Sequence, residues 1–413
     1  MVDYLLGELR DRLSEVGRVD LLEGVNRRAL EYFESIPAGQ ATSTELAARV
    51  RLLRSLADVR VQRGEIDAAT ELMQSALSGA ERRLAEAPED LIALDTLAEI
   101  HYWLGFTRLE QGREPELALA EFASAIKLRE RMLQLKRDLE SRVAYASSFT
   151  NRAAALQALE RWADSVTDLR HAIEIFRIAQ QDPAMSTKDR GDLAAALGWL
   201  SSAHEALGEL SAAATTRAEN VAILSALSDA APDNAIWSQD LGTALNFQAL
   251  LAQLLGEDEV ALLAMNRSCK LLQENLERDP ANRSNQRAFA VCSVARGGFR
   301  LQRGDAAGAL AEVTAATASL DQLLAAEGAQ SDWLLQSALA RLRLAEIFEV
   351  QKACERARAS IAAMDAILPA SSESGFSRTH LARRQLLLAR CALQDGEREP
   401  ARRAFADARA VAQ

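Results

Sequence analysis

The apolar positions of this chain recur at helical spacing, and the helices they predict come in repeating pairs. Tyr4, Leu5, Leu9, Leu13 and Val16 mark one helical face. Leu21, Leu22, Val25, Leu30 and Phe33 mark a second, with Gly17 between the two and Pro37 and Gly39 closing the pair. From about Thr42 each unit reads helix, turn, helix, loop. Stepping from Gly304 by 48 residues gives Gly64, Gly112, Glu160, Gly208, Gly256, Gly304 and Lys352, and one shorter step of 44 reaches Gly396. Six of these eight positions are glycine in a chain with only 20 glycines, so the series is an internal repeat. No sustained alternation of Val, Ile, Thr and aromatics occurs, so strands are not predicted.

Each first helix is expected to end at the reference position, where glycine adopts the left-handed conformation at little cost. An acidic residue often follows (Glu65, Glu209, Glu257, Asp305, Glu397), which places negative charge at the start of the second helix. Pro88, Pro232 and Pro280, with Pro183 one residue off register, mark the end of the second helix. Seven residues before the reference stand Ala57, Gly105, Ala153, Ser201, Ala249, Gly297, Ala345 and Ala389, all small. Fourteen before it stand Val50, Ala98, Ala146, Ala194, Gly242, Ala290, Ala338 and Ala382. Five after it stand Ala69, Leu117, Ser165, Ala213, Ala261, Ala309, Ala357 and Ala401. Small residues at fixed offsets allow helix axes to approach closely, with large neighbours such as Leu104 and Leu200 beside them.

This arrangement resembles the tetratricopeptide repeat (TPR). Gly396, Ala401, Phe405 and Ala408 follow the order of the family motif. So do Leu104, Gly105 and Gly112, then Ala118, Phe122 and Ala125 after one inserted residue, and Gly297, Gly304, Ala309 and Ala316. The resemblance covers about residues 42–413 and is weaker around Glu160 and Lys352. It implies an all-α, right-handed α-solenoid of stacked antiparallel helix pairs, a TPR-like superhelix. Residues 1–39 would form an N-terminal helical hairpin, a divergent repeat or cap, and residues 40–413 eight helix-turn-helix repeats. The unit departs from the family's usual 34 residues. The extra 14 are most simply two turns added to each helix, which preserves the apolar face because seven residues turn a helix through about 700°. The segment Leu5 to Phe33 is similar to the one that opens long-repeat TPR regions in multidomain bacterial signalling proteins. That likeness implies a signalling or defence context, with this chain as the sensing or docking part of a longer protein.

Composition narrows the function. Apolar residues make up 49% and aromatics only 5%, which suits packed Leu/Ala helices. A net charge of -11 argues against nucleic acid as the main partner, since phosphate binding needs a basic surface. The four scattered cysteines, Cys269, Cys292, Cys354 and Cys391, read as reduced, mostly buried thiols of a cytoplasmic protein. No apolar run approaches about 18 residues, so no membrane segment is expected. His101, His171, His204 and His380 are dispersed, and His204-Glu205 lacks the second histidine of a zinc-protease motif, because Gly208 stands there. No phosphate-binding glycine loop and no nucleophile motif occurs, so no metal, no cofactor and no enzymatic activity are expected.

The remaining candidate site is the outward and sideways surface of the first helices. Arg54, Tyr102 and Asn246 stand ten residues before their reference positions; Trp103, Asn151, Trp199 and Phe247 stand nine before. Aromatics turned away from their own hairpin core are suited to anchoring a partner, or to packing against the adjacent repeat. Some TPR proteins grip a C-terminal carboxylate with Lys, Arg and Asn, but here only Asn151 and Asn246 stand near such positions. The expected function is therefore a non-catalytic scaffold that binds a protein or peptide in its groove. The alternative is a peptide- or ligand-gated regulator that controls a separate effector by closing the superhelix.

Overall fold

The computed structural model of the chain describes residues 42–62, 65–111, 114–327, 331–367 and 378–412. The expected hairpin over residues 1–39, and the turn residues Gly64 and Gly112, lie outside them. The described residues form sixteen α-helices and no strand. They fall into two compact units, one ending at Asn282 and the other beginning at Arg283. The first contains α1 (Ser43–Gln62), α2 (Ile66–Glu86), α3 (Leu91–Gln111), α4 (Pro115–Leu135) and α5 (Leu139–Ala158). It continues with α6 (Trp162–Ala179), α7 (Thr187–Ala206), α8 (Leu210–Ala230), α9 (Ala235–Leu254) and α10 (Asp258–Arg278). The second contains α11 (Arg283–Gln302), α12 (Ala306–Glu327), α13 (Ser331–Val350), α14 (Cys354–Ile367), α15 (Arg378–Gln394) and α16 (Arg398–Ala412). In each unit the odd-numbered helices are the first helices of successive pairs. Each packs on its own second helix, and within each unit consecutive first helices also touch.

The turn repeats as a backbone motif even where glycine is absent. Gly208, Gly256, Gly304 and Gly396 have φ of 76°, 78°, 84° and 79°, and Glu160 and Lys352 take the same region at 55° and 59°. In seven turns the amide after the reference residue donates to the carbonyl five residues back. Glu209 to His204 and Arg161 to Leu156, both at 2.8 Å, are examples. This is the hydrogen bond of a Schellman C-cap, which satisfies carbonyls left over at a helix end. The first helices begin with side-chain caps. Asp138 accepts from the Ser141 amide at 3.0 Å, and Asn234 from Ile236 and Trp237 at 3.0 and 3.2 Å. Ser186 forms a reciprocal capping box with Asp189.

The small-residue positions are the seams of the packing. All eight residues at the seven-before offset are buried, six of them at 0% exposure. A Cβ added at Gly105 would meet the Phe122 ring at 2.8 Å, and one at Gly297 would meet Val313 Cγ2 at 2.2 Å. The exception Leu117 is explained by the inserted residue: Leu117 is exposed, and its neighbour Ala118 takes the buried place. Core clusters fill the space within and between consecutive hairpins, for example Met73, Leu94, Ile100 and Leu104 in one and Leu169, Phe176, Leu193 and Leu197 in another.

All four cysteines are buried, and Cys354 and Cys391 are free.

Candidate functional site

In the first unit, the faces of α1, α3, α5 and α7 line a cavity of about 920 Å³. Its wall follows helical spacing. On α3 it takes Asp95, Ala98, Glu99, Tyr102 and Trp103; on α5 it takes Glu140, Val143, Ala144, Ser147, Ser148 and Asn151. Arg54 reaches in from α1 and Lys188, Asp189 and Asp192 from α7, while Arg129 comes from the second helix α4. Successive turns of a helix place residues three and four apart on one face, so one stripe per repeat builds the wall.

Four of the residues expected to face a partner, Arg54, Tyr102, Trp103 and Asn151, are brought together here. Trp103 contributes an edge only. It is 9% exposed and sits edge-on to Tyr102 at 5.7 Å and to Phe106 at 5.4 Å, so most of its ring belongs to the core. Trp199 and Phe247 lie outside the cavity wall and are exposed at 42% and 41%, with the Arg217 guanidinium 5.1 Å from the Phe247 ring centre. Asn246 is buried, and its side-chain oxygen has no hydrogen-bond partner.

The electrostatics of the wall were not visible in the aromatic pattern. Asp95, Glu99, Asp138, Glu140, Asp189 and Asp192 line it against only Arg54, Arg129 and Lys188. Internal pairing removes some of this charge. Arg54 pairs with Glu99, and Arg129 with Asp95. Burial pulls the Arg129 guanidinium down to about 10, so that cation is held inside the wall rather than offered to a partner. Lys136 and the α5 N-terminus hold the Asp138 carboxyl down at about 2. Asp192 accepts from Ser147 at 3.2 Å and from Lys188 at 2.9 Å, but Lys188 is 78% exposed and such a surface pair is weak. One repeat further on, at the same register as Asp192, stands Asp240 of α9. Its surface is open to solvent, yet enough protein surrounds it that desolvation, with the Asp192 charge second, pushes its carboxyl up to about 6. The shared register of Asp192 and Asp240 was the signal in the sequence. The abundance of acidic residues in the chain dilutes that signal.

The histidines serve the fold. His101 Nδ1 lies 2.6 Å from Glu121, and buried His204 lies 2.5 Å from Glu209 at the turn. His171 packs edge-on to Phe149 at 4.7 Å. Among the described residues no group of three or more His, Cys, Asp or Glu is placed to hold a metal ion, and no helix is long and apolar enough to cross a membrane.

No protein-family model matches the chain, and no curated protein matches it. Solved structures do. The apo form of RapI aligns with a TM-score of 0.56 at 10% identity, over 99% of this chain and 97% of RapI. A tetratricopeptide repeat protein from Parabacteroides merdae aligns with a TM-score of 0.39 at 13% identity, over 82% of this chain and 98% of that one. A signal transduction ATPase with numerous domains and a tetratricopeptide repeat sensor, from Pyrococcus horikoshii, aligns at 0.48 and 12% identity, over 94% of this chain and 52% of that one. At such identities the likeness is one of fold. The described residues form an all-α helical-repeat fold of antiparallel helix pairs, like that of RapI.

Proposed function

We propose that this chain is a non-catalytic docking scaffold that takes a peptide segment of a partner protein into the cavity of the first unit, as part of a bacterial signalling system in the cytoplasm. One observation carries the reading. Three successive first helices bring Arg54, Tyr102, Trp103 and Asn151 to one concave wall of about 920 Å³. That volume is at the upper end of the range for ligand pockets, and its wall mixes aromatic edges with convergent polar groups, as binding sites do. Engaged histidines and caps leave the wall's polar groups as recognition elements. A random nonapeptide library displayed on phage and selected against the full chain tests the reading. Selected sequences should bind the chain and lose binding when Ala144 on the cavity wall is changed to Trp. A library that yields no binder after selection, or binders indifferent to Ala144→Trp, contradicts it.

A further inference from the structure

The cavity has a charge signature, and the inference from it rests on the docking function proposed above. We infer that the segment bound in the first unit is cationic, carrying Lys or Arg side chains that the carboxylates of α5, α7 and α9 receive.

Six carboxylates and three cations line the cavity. Two of the cations, Arg54 and Arg129, are already matched by Glu99 and Asp95. The third, Lys188, is a solvent-facing side chain one helical turn from Asp192 and is easily displaced. Glu140 of α5 lines the wall without a hydrogen bond of its own, within the field of Arg129 and Lys136, and Asp240 of α9 stands one repeat beyond the lining residues, exposed to solvent. An anionic ligand, whether phosphate, nucleic acid or an acidic segment, would meet net repulsion here. A neutral one would leave the net negative charge of the wall unbalanced.

Geometry adds direction. Asp192 and Asp240 occupy equivalent places, 48 residues apart, on consecutive first helices that touch, and the Asp192 charge adds to the desolvation that holds the Asp240 carboxyl up. Two like charges held together by the fold are relieved by a cation placed between them, so the bound state gains what the free state lacks. The aromatic edges of Tyr102 and Trp103 on α3 border the same wall and suit the apolar stem or the cation of a Lys or Arg. The cavity of the second unit differs in sign. There Arg343, Arg383 and Arg390 face Glu346 and Glu349, a net positive lining that disfavours a cationic ligand.

The nonapeptide library selected on the full chain tests the inference by its charge content. Captured sequences should be enriched in Lys and Arg over the input. A synthetic copy of the best binder should lose about ten-fold in affinity when its Lys and Arg become Gln. The double variant Asp192→Asn, Asp240→Asn should lose about ten-fold for the parent peptide, with no fall in melting temperature, and should no longer discriminate the Gln copy. Asp240→Asn alone supplies a check in which no existing hydrogen bond is removed, and it should weaken the parent peptide in the same direction. Binders without cationic enrichment that still lose binding to the Ala144→Trp variant overturn the cationic partner while leaving the docking function standing. Cationic binders that keep full affinity for the double variant overturn the assignment of these two carboxylates. Absence of any binder removes the docking function itself.

Discussion

The turn residue is where local rule and fold agree most visibly. Glu160 and Lys352 hold φ of 55° and 59°, which an L side chain adopts at a cost that glycine avoids. Glu160→Gly should therefore raise stability by about 0.5–1 kcal/mol, and Gly304→Ala should lower it by about 1 kcal/mol, both read from urea melts. An added Cβ at Gly304 has nothing within 4 Å, so that loss is purely conformational. Asp240 gives a pH-dependent case. Its folded carboxyl, raised to about 6, binds a proton more readily than the unfolded chain does. The folded state is thus favoured at low pH, and that contribution is lost as pH rises from about 4 through 6. Asp240→Asn should stabilise the protein by about 1 kcal/mol at pH 7.5, allowing for the side chain's contact with water, and by less than half of that at pH 4.5.

At the scale of the helix, register was legible because it is written twice, once in turn residues and once in small residues. The series from Gly64 to Gly396 had two gaps, at Glu160 and Lys352, and the structure fills both with the same left-handed turn. Leu117 read as an exception, and it is one: the insertion hands its place to Ala118. The seam also predicts what it will not tolerate. Gly297→Leu, in van der Waals conflict with the stiff, β-branched Val313, should cost about 1–3 kcal/mol, as should Gly105→Leu against Phe122. Thermal melts of either variant that match the parent chain would contradict the register. Which face of each first helix meets a partner was legible only in part. Tyr102 and Asn151 line the cavity, whereas Trp103 turns most of its ring into the core. At 100° per residue a large ring on the boundary can turn either way, and only packing against Tyr102 and Phe106 decides it.

At the scale of the molecule, repetition gave the architecture, and departures from it give the site. Residues common to all repeats build seams and turns. The cavity wall is made of residues that differ from one repeat to the next: Arg54 and Tyr102 at one register, Glu99 and Ser147 at another, and Ala144 and Asp192 at a third. A periodic pattern announces the first kind and hides the second, because a side chain that occurs once carries no period. The surplus of acid in the wall was unreadable for the same reason, since the whole chain carries a net charge of -11 and only the fold collects part of it at one concavity. The account stands on that concavity being the docking site. The most direct test is fluorescence anisotropy of a labelled library-selected peptide titrated with the full chain and with its Ala144→Trp variant. The account predicts saturable binding to the parent chain, and affinity at least about ten-fold weaker for a variant that melts at the same temperature. Equal affinity for both proteins would place the peptide elsewhere and contradict it.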